Sequence, residues 1–428
     1  MTSIPLFLGA ALAATLSLQA PPARATPHLP SAGTDVIEAL PRRSDPQQLE
    51  LRRLRLQLMA APRNAELAAA LAQRYIGIGR SESDPRYFGY AQAALAPWWK
   101  EAAPPAAIRL LRATLLQNIH QFPAAMADLD GVTAAEPSNA QAWLTRATVQ
   151  TVLGQYSAAT ASCARLSTLA DQLSSITCLT NVSGLTGRLL KSDMLLATTL
   201  QRSTNAEPGM QAWSLTQLAE MAARRGDAPL AETRYQAALK LAPRDSYLLG
   251  AYADFLLDRQ RAADAAALTK EHRRIDGLLL RHALALKQQQ AQRQRQGQRP
   301  SSELQEQLAA DTHELQARFD AAALRGDSVH QREQARYELH LSGNAKAALS
   351  LAQRNWAVQK EPADLRILLE AALQAGDRAA AAPALAWMAQ TALEDAAIQP
   401  LAAQLRPAAA TTPASRPDVP RLAARMQP

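Results

Sequence analysis

The stretch AEMAARRGDAPLAETRYQAALKLAP, residues 219–243, decides how the rest of the chain is read. Two short helical patterns flank Gly226. A helix end often turns through a left-handed backbone conformation that glycine adopts at little cost, so Gly226 reads as a turn between paired helices. Ala219, Ala231 and Ala238 supply small side chains where two helices cross closely. Tyr235 and Leu239 fill the space beside them, and Pro243 stops the second helix.

The same spacing spreads outward from this stretch. Ala219 is matched by Ala253, and Ala231 by Ala265, both 34 residues on. Upstream, Arg112-Ala113-Thr114 returns 34 residues later as Arg146-Ala147-Thr148, Phe122 as Tyr156, and Ala125 as Ala159. Gly343 and Gly376 lie 33 apart, each between two helical patterns. An aromatic residue followed three positions later by Ala recurs at Phe88–Ala91, Phe122–Ala125 and Tyr156–Ala159. A shared period of this length is the mark of a stacked repeat architecture, each repeat a pair of helices that cannot bury its apolar face alone. Gly79, Gly154, Gly226, Gly343 and Gly376 take the turn position, and Pro137 and Pro243 close their repeats.

Composition agrees. Of 428 residues, 93 are Ala and 64 are Leu, whereas Val and Ile contribute only 8 and 10. Ala and Leu favour helices, and sheets want β-branched and aromatic residues, so the chain is expected to be all-α. Hydrophobic residues make up 48% of it, too many for a disordered chain. A single core of this length would be unusually large, but an elongated repeat array needs none. The formal net charge of +8 comes from 46 basic and 38 acidic residues, mostly interspersed, and reads as a solvated mixed-charge surface.

The pattern resembles tetratricopeptide repeats: 34 residues, paired helices, a turn glycine, an aromatic just after it, an Ala at the crossing and a closing proline. The resemblance covers about two-thirds of the chain and implies an α-solenoid, a right-handed superhelix of helix-turn-helix repeats. Repeats fall at 65–100, 106–139, 140–172, 173–207, 212–245, 246–276, 329–361 and 362–395. The first carries an insertion, Arg80–Tyr87, in its turn, and the one near Gly187 is irregular. The expected organisation is a signal peptide at 1–25, a Pro-rich linker at 26–46, a first array at 47–276, a long helical hairpin at 277–328, a second array at 329–405 and a disordered tail at 406–428. Ser44-Asp45-Pro46-Gln47 reads as the first helix start. The hairpin tip is Gln-rich and basic, with Lys287, Arg293, Arg295 and Arg299.

The N-terminus has an uncharged stretch from Ile4 to Leu18, then Pro21 and Pro22, then Ala23-Arg24-Ala25 as a small-x-small cleavage pattern. Cleavage after Ala25 and a periplasmic or secreted location are expected; the alternative is a cytoplasmic adaptor. In an oxidising compartment the only two cysteines, Cys163 and Cys178, suggest a disulfide. They fall on the second helix of one repeat and the first helix of the next, which pack antiparallel.

Chemistry is scarce. His313-Glu314 starts like a zinc-protease helix, but Ala317 stands where the second histidine is required. His330 and His340 are ten apart, off a common helical face. There is no Gly-rich phosphate loop and no nucleophile elbow, and two cysteines do not make a zinc site. Asn181-Val182-Ser183 matches a glycosylation acceptor that a helix would hide. Asp84-Pro85-Arg86 is a polar loop beside aromatics, with Asp84 expected to cap the next helix. No catalytic residue, cofactor or metal is therefore expected. The runner-up enzyme class, a cell-wall lytic type with a helical superstructure, lacks room for a catalytic domain.

What the resemblance implies instead is a non-catalytic scaffold for protein–protein interaction. Its partner would be a protein or peptide, rather than nucleic acid or a membrane. In tetratricopeptide proteins the first helix of each repeat lines a concave groove that holds the partner. By register the groove residues are Gln117, Asn118, Gln141, Thr148, Asn181, Thr216, Glu220, Tyr247 and Asp254. Arg112 and Arg146, at one place in successive repeats, are expected to form a polar ladder. The set carries no concentrated Lys/Arg/Asn clamp for a C-terminal carboxylate.

Overall fold

The computed structural model describes residues 45–406, apart from 83 and 328; the expected signal peptide, most of the linker and the tail beyond Arg406 lie outside them. The chain divides into two compact units at Arg52–Arg53. Of the first unit, residues 45–52 are described, and they open helix α1 (Pro46–Ala60). Asp45 accepts a hydrogen bond from the Gln47 N–H at 2.9 Å there.

The second unit is helical throughout, with no strand among its described residues. After the end of α1, its helices come in consecutive pairs. They are α2 (Ala65–Ser81) with α3 (Arg86–Ala94), α4 (Ala106–Asn118) with α5 (Phe122–Ala135), and α6 (Ala140–Val152) with α7 (Tyr156–Arg165). Next are α8 (Gln172–Ser183) with α9 (Leu189–Arg202), α10 (Pro208–Arg224) with α11 (Ala228–Leu241), and α12 (Ser246–Asp258) with α13 (Ala262–Thr269). The longer pair α14 (Asp276–Arg295) and α15 (Ser302–Leu324) precedes α16 (Gln331–Tyr337) with α17 (Ala345–Val358), α18 (Pro362–Ala375) with α19 (Arg378–Thr391), and a last helix α20 (Gln399–Leu405). A π-helical turn, Glu338–Ser342, extends α16.

Local chemistry sets these boundaries. Asn64, Asn139, Asp171, Asp245 and Asp377 accept from backbone N–H groups of the helices they precede, at 2.9–3.0 Å. Each satisfies an orphan donor of the first turn. Gly154, Gly226, Gly343 and Gly376 have φ of 73°, 80°, 78° and 71°, the left-handed turn that glycine permits. Gly79 does not share this role. It lies inside α2, and a Cβ there would sit 3.1 Å from the Phe88 ring, so it is kept small by the close approach of α3. The first turn is correspondingly shorter than the expected insertion, since α2 runs to Ser81 and α3 begins at Arg86. Asp84 holds that turn, with its N–H donating to the Gly79 carbonyl and its carboxylate accepting from the Arg86 N–H.

The crossings are closed by alanine. Ala113 and Ala125, Ala219 and Ala231, and Ala253 and Ala265 have no exposed surface. A larger side chain at such a crossing would force off-rotamer packing, at about 1–3 kcal/mol.

Successive first helices pack on one another, α2 on α4, α8 on α10, α10 on α12 and α12 on α14, while no successive second helices do so to a comparable degree. The stack therefore curves with the first helices inside. The curvature brings later segments back onto earlier turns. The Lys360 N–H donates to the Val152 carbonyl at 2.8 Å, and the Ala396 N–H to the Arg224 carbonyl at 2.8 Å. The Glu394 carboxylate accepts from the Leu189 N–H at 3.0 Å. One apolar core accordingly joins Ala147, Tyr156, Cys163 and Val182 to Trp356, Leu368, Met388 and Leu405.

Candidate partner-binding face

The inner layer of first helices carries the residues singled out by register, and it treats them unequally. Gln117 and Asn118 stand at the C-terminal end of α4; the Gln117 carboxamide is part-exposed and has no partner among the described residues, while Asn118 donates to the Thr114 carbonyl of its own helix. On α6, Gln141 donates to the Thr145 hydroxyl, and the Thr148 hydroxyl donates to Leu144 O. Asn181 is part-exposed and has no partner among the described residues, on the side of α8 that meets α10. At helical spacing on that side, the Thr177 hydroxyl pairs with Ser214 at 2.9 Å, and Gly184 O accepts from Arg224. Thr216 is a correction to the register. It is buried, and its hydroxyl donates to Ala212 O at 2.8 Å, so no partner reaches it.

Tyr247 and Glu220 meet across the seam between α12 and α10. The phenol donates to the carboxylate at 2.7 Å, and Tyr247 as a residue is 58% exposed. Burial pushes the Glu220 carboxyl up to about 7, against the lowering influence of the Tyr247 hydrogen bond and of Arg224.

Asp254 is spoken for. Arg281 of α14 holds it at 2.6 Å and Arg336 of α16 at 2.8 Å. Despite burial, these two guanidinium groups hold its carboxyl well below the usual range. One turn on, Asp258 receives both Arg366 nitrogens, at 2.6 and 2.7 Å. Arg366 also binds Glu370 at 2.8 Å, and Glu370 accepts from or pairs with His340 at 3.0 Å. Arg332 ties Glu361 at 2.9 Å to the fully buried Asp364 at 3.3 Å. From α12 to α18 the inner face is thus crossed by the chain's own ion pairs. Sequence reasoning missed Arg336 and Arg366, because their partners on α12 lie 82 and 108 residues away and no local pattern marks them, and it missed Arg332, whose partners Glu361 and Asp364 lie 29 and 32 residues on.

Arg112 and Arg146 do not form a ladder with each other. Arg112 is buried, donates to both Asp128 oxygens at 2.6 Å, and gives Nη1 to the carbonyls of Trp98, Trp99 and Glu101. Arg146 reaches Ser162 at 2.8 Å and Asp130 at 2.9 Å. Each repeated arginine ties its own first helix to the second helix 16 residues on. The sulfurs of Cys163 and Cys178 are at bonding distance, 1.99 Å, linking α7 to α8. His313 lines a shallow hollow with Leu308, Thr312 and Gln316, and among the described residues no three metal-ligating side chains converge. Arg293, Arg295 and Arg299 are exposed at the α14–α15 tip.

Paired helices of this length, buried alanines at the α4–α5, α10–α11 and α12–α13 crossings, a left-handed glycine at six of the turns within pairs and first helices on the inside are now all in place. The architecture is of the tetratricopeptide type. Neither a family model nor a curated protein sequence matches the chain. Among solved structures, tetratricopeptide-type folds align with it at low identity. A monomeric mutant of IFIT1 with Gppp-AAAA is 14% identical, covers 83% of this chain and 85% of its own, and has a TM-score of 0.41. A tetratricopeptide repeat protein from Parabacteroides merdae is 13% identical, covering 70% of this chain and 98% of that one, with a TM-score of 0.33. The APC/C hetero-tetramer Cut9–Hcn1 is 12% identical, covering 81% and 76%, with a TM-score of 0.35.

Proposed function

We propose that the chain is a non-catalytic interaction scaffold that holds an extended segment of a partner protein against its inner helices. The observation that carries this reading is the pair of part-exposed carboxamides, Gln117 and Asn181, unpartnered among the described residues, on the same inner layer as the exposed Tyr247. A carboxamide offers a donor and an acceptor together, which suits a peptide backbone whose N–H and C=O alternate. Tyrosine adds rigid apolar area with a polar tip. The segment lies towards α4–α10 and the first turn of α12, because the ion pairs on Asp254 and Asp258 occupy the face from the later turns of α12 onward.

The scaffold is proposed to act in the periplasm or outside the cell. The apolar stretch Ile4–Leu18, the Ala23-Arg24-Ala25 pattern and the bonding distance between Cys163 and Cys178 support this. N-terminal sequencing of the protein recovered from a Gram-negative envelope fraction tests it. A start at Thr26 is expected, and a retained Met1 contradicts export. Panning a displayed library of random dodecapeptides against the folded chain tests the binding face. Peptides enriched by the wild type and lost when Gln117, Asn181 and Tyr247 are changed together to Ala support it; enrichment that survives the triple change removes it.

A further inference from the structure

One carboxylate of the inner layer differs from its neighbours. Asp254, Asp258, Glu333, Glu361, Asp364 and Glu370 each have an arginine nitrogen at 2.6–3.3 Å. Among the described residues Glu220 forms no ion pair, and its hydrogen bond is the one from the Tyr247 phenol to Oε1. The cation on its own helix, Arg224, gives Nη1 to the Gly184 carbonyl at 2.9 Å. Glu361, before α18, adds a second negative charge facing the same place, and Tyr235 stands close by. Glu220 is therefore a part-buried acid whose second oxygen lacks a donor, beside an aromatic residue that is 58% exposed.

We propose that the partner segment carries a lysine or arginine side chain that seats at Glu220, its cation on the free carboxylate oxygen and its stem across the Tyr247 ring. The inference rests on the peptide-binding reading above and names the chemistry of that partner. A carboxylate and an aromatic face together make the two contacts that an alkylammonium or guanidinium uses best, a charge-assisted hydrogen bond and a cation–π contact. Because the other inner-layer carboxylates named above are taken up by arginines, this acidic spot also fixes register. The raised carboxyl of Glu220 fits an anion still waiting for its counter-charge. Binding a cation draws its proton off, so binding strengthens as pH rises through about 7, with Tyr247, Tyr235, Arg224 and Glu361 as the surrounding groups.

The dodecapeptide library panned in parallel against the wild type, Glu220→Gln and Tyr247→Phe tests this at pH 8. Lys or Arg should be enriched at one position by the wild type and by Tyr247→Phe. Glu220→Gln, which keeps the shape, should select peptides without that preference. A selected peptide whose Lys is replaced by norleucine should bind the wild type about tenfold more weakly, about 1.4 kcal/mol, and Glu220→Gln unchanged. Enrichment without a basic preference, or a preference that survives in Glu220→Gln, overturns the cation site and leaves peptide binding standing. If the wild type enriches no peptide at all, the peptide-binding reading falls and the cation site with it.

Discussion

Arg366 holds Asp258 with two nitrogens, at 2.6 and 2.7 Å, joining α18 to α12 across 108 residues of sequence. With Arg281 and Arg336 on Asp254, this bridge makes the later part of the inner face a braced wall rather than an open groove. The pair is about one-third exposed on each side, so solvent screens it. Arg366→Ala is expected to cost under about 1 kcal/mol of global stability. Its larger effect should be local, as faster amide hydrogen exchange in α12 and α18 with α4 and α6 unchanged. Unaltered exchange in α12 would show that the bridge braces nothing.

Arg112 makes the opposite case. It is buried against Asp128, with Arg109 Nε 3.7 Å from the same carboxylate. Removing it strands a buried anion and three carbonyls, which costs about 3–5 kcal/mol. Arg112→Ala should lower the thermal midpoint far more than Arg146→Ala, whose partners Asp130 and Ser162 include an exposed acid. Denaturant melts of the two variants decide it; equal losses would contradict the distinction.

Cys163 and Cys178 close a loop of 15 residues between α7 and α8. A link of that length stabilises by about 3 kcal/mol on the loop-entropy estimate. Thiol titration of the unreduced protein recovered from an envelope fraction should find no free thiol. The double Cys→Ser variant should unfold at a lower denaturant concentration.

Two glutamates give the pH response opposite signs. Burial raises Glu220 to about 7, above its ordinary 4.5, so folding favours its protonated form. That contribution is complete at low pH and declines as pH rises from about 4.5 to 7. Glu220→Gln should therefore gain stability relative to the wild type between pH 5 and pH 8. Glu370 is lowered to about 2, because the His340 hydrogen bond and Arg366 outweigh its burial. Its contribution is present above about pH 4.5 and is lost as pH falls towards 2, so Glu370→Gln should cost stability at neutral pH and little at pH 2. Thermal melts across pH test both signs.

The helix pairs were legible because their causes are local and repeated. Ala219, Gly226 and Ala231 each answer to a neighbour within the same pair, Tyr235 stacks on Tyr252 of the next, and Ala113, Ala125, Ala253 and Ala265 repeat the alanine crossing. Gly79 misled because a small residue serves a close crossing as well as a turn, and sequence does not separate the two uses. Thr216 misled because register marks a side chain's face and not its burial: Thr216 is covered, while Glu220 one turn on is part-exposed. The ion pairs of Arg336 and Arg366 with α12 were out of reach altogether. They depend on how far the stack curves before the chain meets itself, a sum of small rotations that no single repeat records.

The central claim is that Gln117, Asn181 and Tyr247 act together on one bound segment. The direct measurement is fluorescence anisotropy of a labelled, library-selected dodecapeptide titrated with the wild type and with the triple Ala variant, after both show the same thermal midpoint. The account predicts saturable binding to the wild type and an affinity at least about tenfold lower, or about 1.4 kcal/mol, for the variant. Equal affinities for the two proteins would contradict it.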